Sequence, residues 1–115
     1  MVRAFLRTAM ASLALTLASC GSELPTIKEA RSVAAEWALV NQQATAGNAN
    51  RVYVEEMRSS TSEQLTSLKD KLSDPDSREA NALDALLALP PDASPDTIGK
   101  QVDRLDRIEK RLEVS

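Results

Sequence analysis

The chain has 115 residues, 27% of them charged and 43% apolar, which suits one ordinary globular domain and not a disordered segment. It contains no histidine and a single cysteine, Cys20. That excludes the commonest general base, a Ser-His-acid triad, an intramolecular disulfide, and any zinc site built on several Cys or His ligands.

Residues 1–8, MVRAFLRT, carry Arg3 and Arg7 and no acid. Residues 9–18, AMASLALTLA, are apolar apart from Ser12 and Thr16, and small residues follow. A basic start, an apolar middle and a small-residue exit make up the layout of a secretory signal. The apolar run is about half the roughly 20 residues that a membrane-spanning helix needs. A buried core helix would leave the basic flank unexplained.

Leu17-Ala18-Ser19-Cys20 closes this segment. It resembles the lipobox of bacterial lipoprotein precursors, in which a leucine and two small residues precede the cysteine that is lipidated. The resemblance covers residues 1–21. It implies that a diacylglyceryl group joins the Cys20 sulfur, that a signal peptidase cuts between Ser19 and Cys20, and that the new amino group is also acylated in many bacteria. A thioether has no thiolate, so Cys20 would drop out of redox and metal chemistry. One acyl chain holds a protein only marginally, whereas two or three hold it stably. Gly21 stands where an aspartate resembles an inner-membrane retention signal, which implies the periplasmic face of the outer membrane in a Gram-negative envelope.

Cleavage would discard Arg3 and Arg7 but no acid, leaving 12 bases against 17 acids and a net charge of −5. A chain of that charge has no overall electrostatic footprint for nucleic acid or for anionic headgroups. The expected organisation is a signal peptide over 1–19, a lipidated tether over 20–25 and a helical domain over 26–115. The tether residues 21–25, GSELP, reach at most roughly 15–18 Å.

The first helix is predicted to start at Thr26, where TIKE reads as a capping box between Thr26 and Glu29. Its apolar stripe is Ile27, Ala30, Ala34, Trp37, Val40 or Asn41, and Ala44. Gly47 reads as its stop. A second helix from about Asn50 carries Val54, Met57, Thr61, Leu65, Leu68 and Leu72, close to a seven-residue seam. Residues 59–62, SSTS, weaken its middle, and Ser60 with Glu63 resembles another capping box, but the helix is expected to continue through them, bent at most. Ser73 or Asp74, followed by Pro75, is predicted to cap a shorter third helix with Ala80, Ala82, Leu83, Leu86 and Leu87 inward. Pro90 and Pro91 stop it. Ser94 then caps a fourth helix with Pro95 at its first position and a stripe of Ile98, Val102, Leu105, Ile108 and Leu112. Asp103 with Arg107 and Asp106 with Lys110 are acid-before-base pairs on its exposed face. No strand candidate appears. The predicted fold is all-α, a small antiparallel bundle of about four helices after a cleaved signal helix.

No catalytic residue, metal site or cofactor is predicted beyond the acyl groups on Cys20. Glu29 and Glu36 share a helix face, but di-metal bundles need Glu-x-x-His, so both read as solvated. Residues 67–71, SLKDK, bring serine and lysine together on an ordinary amphipathic helix. The amides of residues 41–50 read as turn and capping chemistry. Trp37 and Tyr53 are the candidate contacts for a partner or ligand: Trp37 lies on the core stripe, and Tyr53 lies beside its seam, where it would cover the bundle end near Gly47. The expected function is that of a structural or adaptor lipoprotein whose acidic bundle binds an envelope protein. The alternative is a module that holds a small ligand or peptide between its helices.

Overall fold

The computed structural model describes residues 23–114. The signal segment, the lipobox and Cys20 lie outside the described residues. Four helices follow one another: α1 (Leu24–Thr45), α2 (Arg51–Asp70), α3 (Arg78–Leu87) and α4 (Pro95–Glu113). They form an antiparallel bundle with no strand among the described residues. α1 is the central element and packs along both α2 and α4, while α3 bridges α2 and α4 on the remaining side.

The core comes from the 3–4 spacing of apolar residues on each helix. Ile27, Ala30, Ala34 and Trp37 of α1 meet Leu65 and Leu68 of α2, Leu83 and Leu86 of α3, and Ile98 and Leu105 of α4. Burying each leucine or isoleucine is worth about 1.5–3 kcal/mol. Alanines at 30 and 34 have no side chain beyond Cβ and are fully buried, so neighbouring helices approach α1 closely. Met57 and Ala44, both on predicted stripes, are only half-buried.

The helix boundaries follow local chemistry, which corrects the sequence reading in three places. α1 begins at Leu24, two residues before the predicted cap, and takes in two residues assigned to the tether. Pro25 sits in the first turn, where its fixed φ suits a helix and its missing N–H is no loss. Thr26 is therefore already helical and the TIKE capping box does not form. Glu23 occupies the cap position without a side-chain cap bond, and its carboxylate instead accepts from Ser73 Oγ at 2.8 Å. In α2 the Ser60–Glu63 box is also absent, while the helix runs unbroken through SSTS as expected. There Thr61 Oγ1 donates back to the Arg58 carbonyl at 2.9 Å and Ser60 Oγ accepts from Gln64 Nε2 at 2.9 Å, so these hydroxyls are satisfied inside the helix.

The third correction concerns α3, which is capped by Ser77 rather than by Ser73 or Asp74. Asp74 Oδ1 accepts from the Asp76 N–H at 2.9 Å, and the Asp74 carbonyl accepts from the Ser77 N–H at 3.1 Å. That Asx turn consumes Asp74 and delivers Ser77, in extended conformation, to accept from the Ala80 N–H. The remaining termini match the sequence. Asn50 accepts from the N–H groups of Val52 and Tyr53, and Ser94 from that of Thr97. At the end of α1 the Gly47 N–H donates to Ala44 O and the Asn48 N–H to Gln43 O, a Schellman closure that needs the positive φ of +75° found at Gly47. On α4 the Asp106–Lys110 pair forms at 3.1 Å, whereas no ion pair joins Asp103 and Arg107.

These caps separate by mutation. Ser77→Ala and Ser94→Ala are each expected to cost about 0.5–2 kcal/mol. Thr26→Ala, which a real capping box would make equally damaging, is expected to cost under about 0.5 kcal/mol. Urea denaturation followed by circular dichroism measures all three.

Candidate functional site

Asn41 lies on the core stripe of α1 and is 2% exposed. Its Nδ2 donates to the carbonyls of Pro91 at 3.0 Å and Ala93 at 2.8 Å, and its Oδ1 accepts from Arg58 Nε at 2.8 Å. Only this amide orientation places donors against carbonyls and the acceptor against a guanidinium. Trp37, one turn earlier on α1, donates its Nε1–H to the same Pro91 carbonyl at 2.9 Å. Four side-chain bonds thus tie α1 to the proline-rich α3–α4 loop and to α2. The loop supplies acceptors and needs none in return at Pro90 and Pro91, which have no N–H.

Beside this junction, α2 and the α3–α4 loop leave a cleft of about 50 Å³. Its apolar walls are Trp37, Leu65, Leu86, Leu89 and Pro91, and its polar edge is Arg58, Thr61 and Ser62. A shallower outer mouth runs from Arg58 and Pro91 past Ser59 to Glu55 and Glu63. Thr61 is buried with its hydroxyl turned back to its own helix. Arg58 is half-buried. The bond to Asn41 uses only its Nε, and among the described residues no carboxylate pairs with it, so its terminal nitrogens are outside any ion pair there. The cleft is smaller than the roughly 300–1,000 Å³ of typical small-molecule sites and has room for the tip of one aliphatic side chain.

The second polar junction lies at the opposite end of α1. Arg31 donates Nε and a terminal nitrogen to the two carboxylate oxygens of Glu109 on α4, at 3.1 and 3.2 Å. The Glu109 side chain is 8% exposed and that of Arg31 38%. Two parallel bonds in this geometry are both stronger and more directional than a single contact. Lys28 and Glu113 add a looser, exposed pair at 3.9 Å.

The two aromatic candidates separate. Trp37 is 6% exposed; most of it is core, and one edge lines the cleft. Tyr53 is 47% exposed and does not line the cleft. Glu29, Glu36, Glu55 and Glu56 are all exposed, with Glu55 taking Arg51 at 3.4 Å. Of residues 67–71, Lys69 is engaged by Asp84 of α3, while Ser67 and Lys71 stand in a separate shallow depression on α2.

Arg58 and Glu109 were the residues that apolar pattern reading passed over, yet a signal existed. Positions 54, 58, 61, 65, 68 and 72 keep strict steps of four and three. So do 98, 102, 105, 109 and 112. A charged residue at a seam position marks a paired, inward-facing charge, and choosing Met57 and Ile108 for their hydrophobicity hides it. Comparison with protein-family models, with curated proteins and with solved structures gives no match for this chain.

Asn41→Ala would strand the buried Ala93 carbonyl and release Arg58. With a buried unsatisfied group worth about 1–3 kcal/mol, a loss in that range is expected in urea melts. A double-mutant cycle on Arg31→Ala and Glu109→Ala should return a coupling of about 0.5–3 kcal/mol. A coupling indistinguishable from zero would show that the pair does not hold α4 in register.

Proposed function

We propose that this chain is a membrane-anchored envelope lipoprotein, held through acylated Cys20, whose small acidic bundle acts as a structural or adaptor element by binding another envelope protein. The observation that carries this reading is the placement of Leu17-Ala18-Ser19-Cys20 relative to the fold. α1 begins at Leu24 and the first core residue among those described is Ile27, so cleavage before Cys20 would leave all four helices whole. The spacer would be residues 21–23, reaching about 10 Å, which keeps the bundle close to the bilayer. No described helix is long and apolar enough to cross a membrane. With Gly21 after the cysteine, the reading places the protein on the periplasmic face of the outer membrane. The Trp37–Arg58 cleft favours the second reading, a module that holds a small ligand or peptide. The two readings converge if what enters the cleft belongs to the protein partner.

Metabolic labelling with a fatty-acid analogue tests the anchor: wild-type chain should label and Cys20→Ala should not. Persistent labelling of the Cys20→Ala variant would refute lipidation at that residue. Crosslinking in intact envelopes tests the adaptor role, with one recurrent protein adduct as the expected result.

A further inference from the structure

The cleft beside Trp37 has two properties that together define an occupant. Its walls are aliphatic and aromatic, and its volume of about 50 Å³ admits the tip of one aliphatic side chain. A guanidinium stands at its rim with one nitrogen fixed by the buried amide of Asn41 at 2.8 Å. Being tethered there, Arg58 presents its terminal nitrogens without having to be ordered anew on binding, which lowers the entropic cost of an ion pair. Apolar walls weaken solvent screening on its inner side. Of the two acids at the outer mouth, Glu55 is already engaged by Arg51, and Glu63 forms no ion pair among the described residues.

The complementary group is therefore an aliphatic side chain with a carboxylate a few bonds away. Aspartate and glutamate do not meet that description, since their carboxylate ends the side chain that would enter the cleft. The C-terminal residue of a polypeptide does. We propose that the cleft between α2 and the α3–α4 loop receives the C-terminal aliphatic residue of a protein partner, with the side chain against Trp37, Leu65 and Leu86 and the α-carboxylate on the Arg58 terminal nitrogens. This rests on the reading of the bundle as a protein-binding adaptor and names the chemistry of its partner.

The chain supplies its own probe, because Trp37 is its only tryptophan and lines the cleft. The full chain in non-ionic detergent micelles is titrated with N-acetyl-Ala-Ala-Leu bearing a free carboxylate, while Trp37 emission is followed. A saturable shift is expected at millimolar concentration or below. The amidated peptide and N-acetyl-Ala-Ala-Gly should each bind at least about tenfold more weakly, the first for want of the ion pair and the second for want of the apolar contact. Arg58→Gln should abolish the difference between acid and amide. Because the amidated peptide is tested on unaltered protein, the comparison survives even if that variant folds poorly. Equal binding of acid and amide would overturn the proposal, as would no emission change with the free acid up to about 5 mM. Failure here with intact lipid labelling and a recurrent crosslink would remove the cleft's role and leave the adaptor reading standing.

Discussion

The bundle depends on one buried amide. Asn41 offers two donors and an acceptor, and each is taken: two by loop carbonyls and one by Arg58. Without these partners, an amide at 2% exposure would be strongly destabilising. With them, it decides where the chain turns. The connection from Leu87 to Pro95 must reverse direction across the end of α1, and apolar packing alone would let it settle in several ways. The Pro91 and Ala93 carbonyls meet donors in only one. A polar residue at a single seam position plays a comparable part in coiled coils, where it specifies register at some cost in stability.

One polar contact leaves rotation and sliding partly open, and the Arg31–Glu109 pair closes both. Arg31 and Asn41 are ten residues apart, about 15 Å along α1. The first binds the last turns of α4 and the second binds the loop that starts α4. A slip of α4 by one helical turn, about 5.4 Å, would preserve much of the apolar contact, because the stripe of Ile98, Leu105 and Ile108 nearly repeats. It would break both polar junctions at once. Packing supplies most of the stability, then, while the register of α1 against α4 is set by three residues of low hydrophobicity.

The split between what could and could not be read in sequence follows the same line. The four helices, their core stripes and the caps at Asn50 and Ser94 are local features, governed by 3.6-residue periodicity and by a polar side chain reaching two or three residues ahead. They are legible. Where local solutions compete, the pattern is silent: Ser73 and Asp74 resemble caps ahead of Pro75, and the Asx turn at Asp74 moves the cap on to Ser77. Pro25 similarly carries α1 past the attractive cap at Thr26. The site is less legible, because Arg58 finds Asn41 on the preceding helix, 17 residues away, and Asn41 finds carbonyls 50 and 52 residues away. No spacing rule encodes a partner that far along the chain. What sequence does retain is the anomaly of a polar or charged residue holding a strict seam position at 41, 58 and 109.

The geometry of the junction also sets it apart from the end of the bundle where the chain enters. Trp37 is 13 residues beyond Leu24, so the cleft stands about 20 Å along α1 from the point where the chain enters the bundle. An anchor at Cys20 would hold the end defined by Glu23, Ser73 and the Arg31–Glu109 pair. The end bearing Asn41, Arg58 and the proline loop would face away from the attachment point. Stability and recognition are not divided in the same way: the bond that satisfies Asn41 is also the one that holds Arg58 at the rim. Any change that frees Arg58 leaves a buried acceptor unpaired, and any change that removes Asn41 sets the guanidinium loose. A partner selecting for the cleft therefore selects for the folded junction itself, so binding there would stabilise the bundle by mass action.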